Sequence, residues 1–183
     1  MFANVLTVFL FFILLLNSCT SQMQELDISD KELTLKDGMM YYQNKPFTGM
    51  LFSKTDTITL AKIPYLEGKK HGKEERFYHN GARAAVRYFT NGKESGTHKA
   101  WWNNGQLEFI HQFDDFGNPT GVQRDWYASG QLAKEFNYID GKENGTQRIW
   151  NVDGKIKANY QVIQGERFGL IGAEGCKSDT YVD

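Results

Sequence analysis

GVQRDWYASGQLAKEFNYIDGKENG, residues 121–145, overlays the stretches before and after it almost without adjustment. Counted from the glycine that opens each copy, Gly72, Gly96, Gly121, Gly145 and Gly169 stand 24, 25, 24 and 24 residues apart. A fixed period of this length marks a repeat architecture, in which one supersecondary unit buries its apolar surface against the next. Five positions after each opening glycine comes an aromatic: Phe77, Trp101, Trp126 and Trp150. Nine positions after it comes a second glycine behind a turn former, giving Asn80-Gly81, Asn104-Gly105, Ser129-Gly130 and Asp153-Gly154.

Such X-Gly pairs suit two-residue type I′ turns, whose central residues both need positive φ, so each copy reads as a β-hairpin. With Asn104-Gly105 at the tip, Trp102 is expected to face Leu107, Ala100 to face Phe109 and His98 to face His111 on one side of the pleat. Lys99, Trp101, Glu108 and Ile110 fall on the other side. Leu132 and Tyr138, then Ile156 and Val162, repeat the places of Leu107 and Phe113, with Arg83 the exception. A lone hairpin is marginal in water, so the copies extend one sheet through the Gly-bounded links 68–72, 92–96, 141–145 and 165–169. The link 117–121 follows a strand with one extra residue, which predicts a bulge or looser bend there. The expected fold is all-β, an elongated, repetitive antiparallel meander of about five to six hairpins with both faces of the sheet in solvent.

The amino terminus reads MFANVLTVFLFFILLLNSCTS, apolar from residue 5 to 16 except for Thr7. That length suits a signal-peptide core better than a membrane span, which needs about 20 residues. Leu16-Asn17-Ser18-Cys19 resembles a bacterial lipobox, although Met1–Asn4 carries no Lys or Arg. The resemblance implies cleavage before Cys19 and attachment of acyl chains, palmitate among them, to that cysteine, which anchors the protein in a membrane. Thr20, where some Gram-negative lipoproteins carry the Asp that retains them at the inner membrane, leans by analogy toward the outer membrane. The organisation expected is a signal peptide over 1–18, a polar tether over 19–37, the repeat domain over 38–169 and a tail over 170–183. Within it, Met39–Tyr42 is read as a strand, 43–45 as a turn and Met50–Glu67 as a degenerate copy. Leu170 and Ile171 are expected to fold over the last sheet edge.

With 21 basic and 22 acidic residues, the net charge of −1 argues against a nucleic-acid footprint. Aromatics make up 14% of the chain, enough to pack hairpin on hairpin and leave apolar stripes for a partner. Once Cys19 is lipidated, Cys176 has no intramolecular disulfide partner. It is then an inert thiol, an intermolecular disulfide, or a soft-metal or redox contact. His98 and His111 put two imidazoles opposite one another but supply no third ligand at the matching position. His71 and His79 read as solvent-facing. The carboxylates of Glu108, Asp114, Asp115, Asp125 and Glu135 are scattered, and no nucleophile, zinc or phosphate-loop motif is present, so no enzyme and no cofactor are expected.

The pattern Gly-x₄-Trp/Phe followed by Gly-x-x-x-Gly resembles the variant MORN repeat, most closely bacterial repeat proteins of the YwqK-type antitoxin group, over roughly residues 38–169. The resemblance implies a hairpin array and a role in membrane-proximal scaffolding and protein binding, and it carries over no catalytic residue. The leading expectation is a non-enzymatic envelope lipoprotein that shows an aromatic-striped face to a protein partner through Tyr78, Trp102, Leu107, Tyr127 and Leu132. The same side chains would equally serve to hold one hairpin to the next. Two further readings stand beside it: an immunity or antitoxin-like protein masking a toxin in the envelope, and a small-molecule role, with carbohydrate on the aromatic face or metal at Cys176 and the His98/His111 pair.

Overall fold

Short runs rich in β-branched and aromatic residues, fenced by glycines, leave the strand as the regular element of choice. The computed structural model describes residues 23–170 and, among them, contains strands and no helix. The amino-terminal strands are β1 (Gln24–Asp27), β2 (Leu33–Lys36), β3 (Met39–Tyr42) and β4 (Lys45–Pro46). The repeats follow as β5 (Gly49–Lys54), β6 (Thr59–Leu66), β7 (Lys69–Lys70), β8 (Gly72–Phe77), β9 (Arg83–Thr90), β10 (Lys93–Glu94) and β11 (Gly96–Trp101). They continue as β12 (Leu107–Phe113), β13 (Gly121–Trp126), β14 (Leu132–Ile139), β15 (Lys142–Trp150), β16 (Ile156–Ile163) and β17 (Glu166–Leu170). One 14-stranded sheet runs in chain order from β5 to β17, with β1 added at its first edge and β7 and β10 continuing the pairing on β6 and β9. The expected antiparallel meander is therefore present.

The hairpin tips are not the expected type I′ turns. At the hairpin tips only the glycine has positive φ, 79° at Gly81 and 84° at Gly105. Gly81 N–H donates to Tyr78 O at 2.9 Å and Tyr78 N–H to Ala82 O at 2.8 Å, a type I turn closed by a left-handed glycine. The type I′ turns are in the links, where both central residues have positive φ: Glu67-Gly68, Asn91-Gly92, Asp140-Gly141 and Gln164-Gly165. The 117–121 link, with its extra residue, borrows the tip geometry instead: Gly117 N–H donates to Asp114 O, and the Asp114 carboxylate accepts from the N–H groups of Phe116 and Asn118.

Each tip is followed by a one-residue slip in register, next to Lys54, Phe77, Trp101, Trp126 and Trp150 in turn. The slip corrects the expected Trp102–Leu107 pair: Leu107 stands opposite Trp101, Leu132 opposite Trp126 and Ile156 opposite Trp150. One inserted residue exchanges the faces of everything between it and the tip. Beyond the bulge the expected register holds, with Ala100 opposite Phe109 and His98 opposite His111. A second, two-residue insertion sits at the opening glycines. Tyr138 pairs with Glu143 but Phe136 pairs with Gln147, so one strand gains two residues over that interval.

The sheet does not have two exposed faces. In β16, Ala158, Tyr160 and Val162 are buried while their neighbours are exposed, and the in-register positions Phe136, Gln147, Ala100, Ala85, Ile63 and Leu51 are buried with them. Repeated bulges bend the strands, which lets a single sheet shelter one of its own faces. At the amino-terminal end the small β2-β3-β4 sheet completes this shelter, with Phe47, Leu51, Ala61 and Ile63 packed against Leu26, Leu33, Met40 and Tyr42. The expected tether over 19–37 is thus strand in part. β1 pairs in parallel with β5, from Gln24 opposite Gly49 to Asp27 opposite Phe52, and β2 pairs with β3. Gly49 permits the first pairing, because a Cβ there would collide with the carbonyl oxygen of Gln24. At the other end Leu170 closes β17 opposite Asn159 and remains 52% exposed instead of folding over the edge.

Candidate functional site

The second residue after each opening glycine points to the buried face, and in four successive copies it is polar. Glu74, His98, Gln123 and Gln147 are 0, 2, 6 and 0% exposed. In the degenerate first copy the place is taken by Leu51. The two-residue insertion at the opening glycine pulls the strand away from its neighbour, and the buried side chain fills the gap. Gln123 Nε2 donates to Gln112 O at 2.8 Å while Gln112 N–H donates to Gln123 Oε1 at 2.9 Å. Gln147 repeats this with Asn137, at 3.0 and 2.9 Å. His98 meets the equivalent carbonyl, that of Tyr88, through Nε2 at 2.8 Å, which assigns the Nε2–H tautomer. Burial holds the His98 pKa below its ordinary value, against the pull of that hydrogen bond and of Glu94.

In the first full copy the equivalent neighbour is Pro64, which has no N–H to satisfy, and its carbonyl accepts from His71 N–H at 3.1 Å. The side chain opposite, Glu74, binds cations instead: Lys70 Nζ and Arg76 Nε each lie 2.6 Å from its carboxylate. Burial alone would raise its pKa, and the two cations more than offset this, so the carboxyl lies below its ordinary value. Among the described residues no buried side-chain nitrogen or oxygen lacks a hydrogen-bond partner.

Tyr78, Trp102 and Tyr127 occupy the sixth position after the opening glycine, and each reaches into the following copy. Tyr78 Oη donates to Trp101 O at 2.7 Å, Trp102 Nε1 to Trp126 O at 3.0 Å and Tyr127 Oη to Trp150 O at 2.9 Å. In the last copy this place belongs to Asn151, whose Oδ1 turns back to accept from Asp153 and Lys155 N–H at 3.1 and 2.9 Å. The rings of Tyr78, Trp102 and Tyr127, and the side chains of Leu107 and Leu132, are all half-buried. Trp102 and Leu107 do not form the cross-strand pair that the sequence suggested.

His98 and His111 do not form a common site, although they face each other across β11 and β12. His98 is clamped between Phe89 and Phe113, with ring centroids 5.6 and 4.6 Å away, while His111 stacks on Phe109 and bonds Asp125 through Nε2 at 2.6 Å. Among the described residues no group of three His, Cys, Asp or Glu side chains is arranged to hold a metal. Cys19, with the expected signal peptide, and Cys176 lie outside the described residues.

The opposite face carries a row in unbroken register across the sheet. Phe52, Lys62, Glu75, Val86, Lys99, Ile110, Arg124, Glu135, Arg148 and Asn159 stand successively opposite one another. Glu135 is held by Arg124 and Arg148 at 2.8 and 3.5 Å. Such a row is a stiff, charged surface with aromatics along its rim at Phe77, Trp101, Trp126 and Trp150.

Against known proteins, the family described as MORN repeat variant matches residues 94–115 and 119–140. No curated protein matches the chain. Among solved structures, a mutant of S. aureus TarM, crystallised in complex with Fondaparinux, alpha-GlcNAc-glycerol and UDP, is similar at 19% identity with a TM-score of 0.32. That similarity covers 62% of this chain and 21% of the other, so the chain spans about a fifth of the length of the protein it matches. The matched residues are β10 to β12 and β13 to β14, two successive hairpins with the same tips and buried polar position as the hairpins on either side, and these two hairpins are MORN-variant repeats.

Proposed function

We propose that this chain is a non-enzymatic lipoprotein of a bacterial cell envelope that offers its repeat array to a protein partner. The observation that carries the reading is the ten-residue row on the exposed face, kept in register by paired strands and therefore stiff before any partner arrives. The staples work to the same end. With the polar heads of Tyr78, Trp102 and Tyr127 tied to the next copy, their half-exposed rings are fixed in place, as interface anchors need to be. Leu107 and Leu132 stand opposite Trp101 and Trp126 and add half-buried apolar side chains beside those tryptophans. The lipobox-like Leu16-Asn17-Ser18-Cys19 supplies the address, a lipid anchor with a lean toward the outer membrane.

The test is crosslinking in cells of the tagged, full chain, with mass spectrometry of what stays attached after detergent extraction and of the mature amino terminus. The expected result is a diacylated Cys19 and one stoichiometric protein partner, with both lost in a Cys19→Ser control. An unmodified amino terminus would remove the lipoprotein half of the reading. Diffuse capture of many envelope proteins, no more than an unrelated lipoprotein shows, would remove the scaffold half.

A further inference from the structure

On the exposed face, β8, β9 and β11 enclose a groove of about 380 Å³ whose charged lining residues are Lys73, Arg83 and Lys99. No carboxylate lines it. Val86 contributes to its floor, with Tyr88 and Trp101 lining it as well. The nearest acid is Glu75 at its flank, which Lys73 and Arg83 share at 2.8 and 3.7 Å, while Lys62 stands opposite Glu75 on the next strand. Three cations, Lys73, Arg83 and Lys62, therefore surround one carboxylate, and Lys99 adds a further positive charge on the far side of Val86, on a chain whose net charge is −1. The Arg83 guanidinium lies 6.0 Å from the centre of the Trp101 ring, close enough for the ring to steady it. Among the described residues Lys99 belongs to no ion pair, and it lines the β11 side of the groove opposite Val86.

From this geometry we infer that the groove is the docking site for a short acidic segment of the partner protein, an inference that rests on the scaffold reading above. Charge complementarity selects the occupant. Lys73 stands opposite Tyr88 and Lys99 opposite Val86, so the two lysines are two strands and two residues apart, about 12 Å, close to the separation of side chains four residues apart on one face of an extended peptide. A segment with carboxylates at that spacing and an apolar side chain between them would meet both lysines and set the apolar group on Val86. The lining offers only three cations, two of them shared with Glu75, so it suits a few carboxylates and not a long polyanion.

Two measurements test this. With the full chain in detergent, fluorescein-labelled hexaglutamate is expected to bind in preference to hexaserine and to a six-nucleotide DNA. Lys99→Glu should weaken hexaglutamate binding by about tenfold or more, while Lys157→Glu, which replaces an exposed lysine on β16, leaves it unchanged. Equal binding by the Lys99→Glu protein with unaltered circular dichroism, or tighter binding of the oligonucleotide, would overturn the inference. In cells, a photo-crosslinking residue is placed at Thr97 in the groove or at Ser129 on a hairpin tip, and the captured peptide is sequenced. An acidic segment captured at Thr97 is the expected result. Capture at Ser129 but not at Thr97 overturns the groove and leaves the scaffold reading standing; capture at neither position overturns both.

Discussion

Gln147 and Asn137 exchange two hydrogen bonds, Nε2 to the Asn137 carbonyl at 3.0 Å and the Asn137 N–H to Oε1 at 2.9 Å, so that a side-chain amide stands in for a peptide group in the ladder. The backbone of β15 has been displaced by its two-residue insertion, and without the side chain the Asn137 groups would be left in a dry gap. Gln123 does the same for Gln112 one copy earlier.

Replacing Gln147 by Leu keeps the bulk but removes both partners of Asn137. Each buried group so orphaned costs about 1–3 kcal/mol, and the expected loss is about 2–4 kcal/mol in a urea titration. A loss below about 0.5 kcal/mol would mean that water or a shifted strand satisfies Asn137 as well as the amide does.

Pro64 and Glu74 form a matched pair in the first full copy, because proline presents no N–H for an amide oxygen to accept. Glu74→Gln alone discards the charge-assisted bonds to Lys70 and Arg76 and is expected to destabilise by about 2 kcal/mol. Adding Pro64→Val restores the N–H, and the double variant should recover about 1 kcal/mol more than the single effects sum to. Additivity in the double-mutant cycle would contradict the pairing.

His98 is a variant of the same device that senses pH. Its folded pKa is below the ordinary value of 6.5, so the unfolded chain takes up the proton first and stability falls as pH drops from neutrality through that value toward the folded one. His98→Gln should fold as the copies with Gln123 and Gln147 do and lose that dependence. Urea midpoints measured at about pH 7.5 and about pH 5.5 are expected to differ less in the variant than in the parent.

Tyr127→Phe removes one hydroxyl and its bond to the Trp150 carbonyl while keeping the ring. The expected cost is about 1 kcal/mol in stability with little change in partner capture. Capture lost together with an unaltered melting curve would instead assign the hydroxyl itself to the interface.

The hairpins and their register beyond the bulge were legible in the sequence because glycines at fixed intervals leave the chain few other ways to turn. Ala100 opposite Phe109 and His98 opposite His111 follow from counting back from Asn104-Gly105. The bulge beside Trp101 was not legible, since an X-Gly pair serves a type I′ turn and a type I turn with a left-handed glycine alike. Glu74, His98, Gln123 and Gln147 recur at the second position after the opening glycine. A polar residue in a strand ordinarily faces water, however, and only the two-residue insertion explains why these do not. β1 left no trace either: QELD has no strand pattern of its own and is held by the backbone of β5, an interaction that local propensity does not record.

Every staple runs in one direction, from a copy to its successor, and this gives the array a grammar with a full stop. Tyr78, Trp102 and Tyr127 each presuppose another hairpin to come, whereas Asn151 spends its acceptor on its own turn and asks for nothing further. The number of stapled copies is thus encoded by which residue occupies one position in the last of them. Lengthening such a protein by duplication would need an aromatic donor at that position to join the new copy to the old, and shortening it by one hairpin would leave Tyr127 reaching for a carbonyl no longer there.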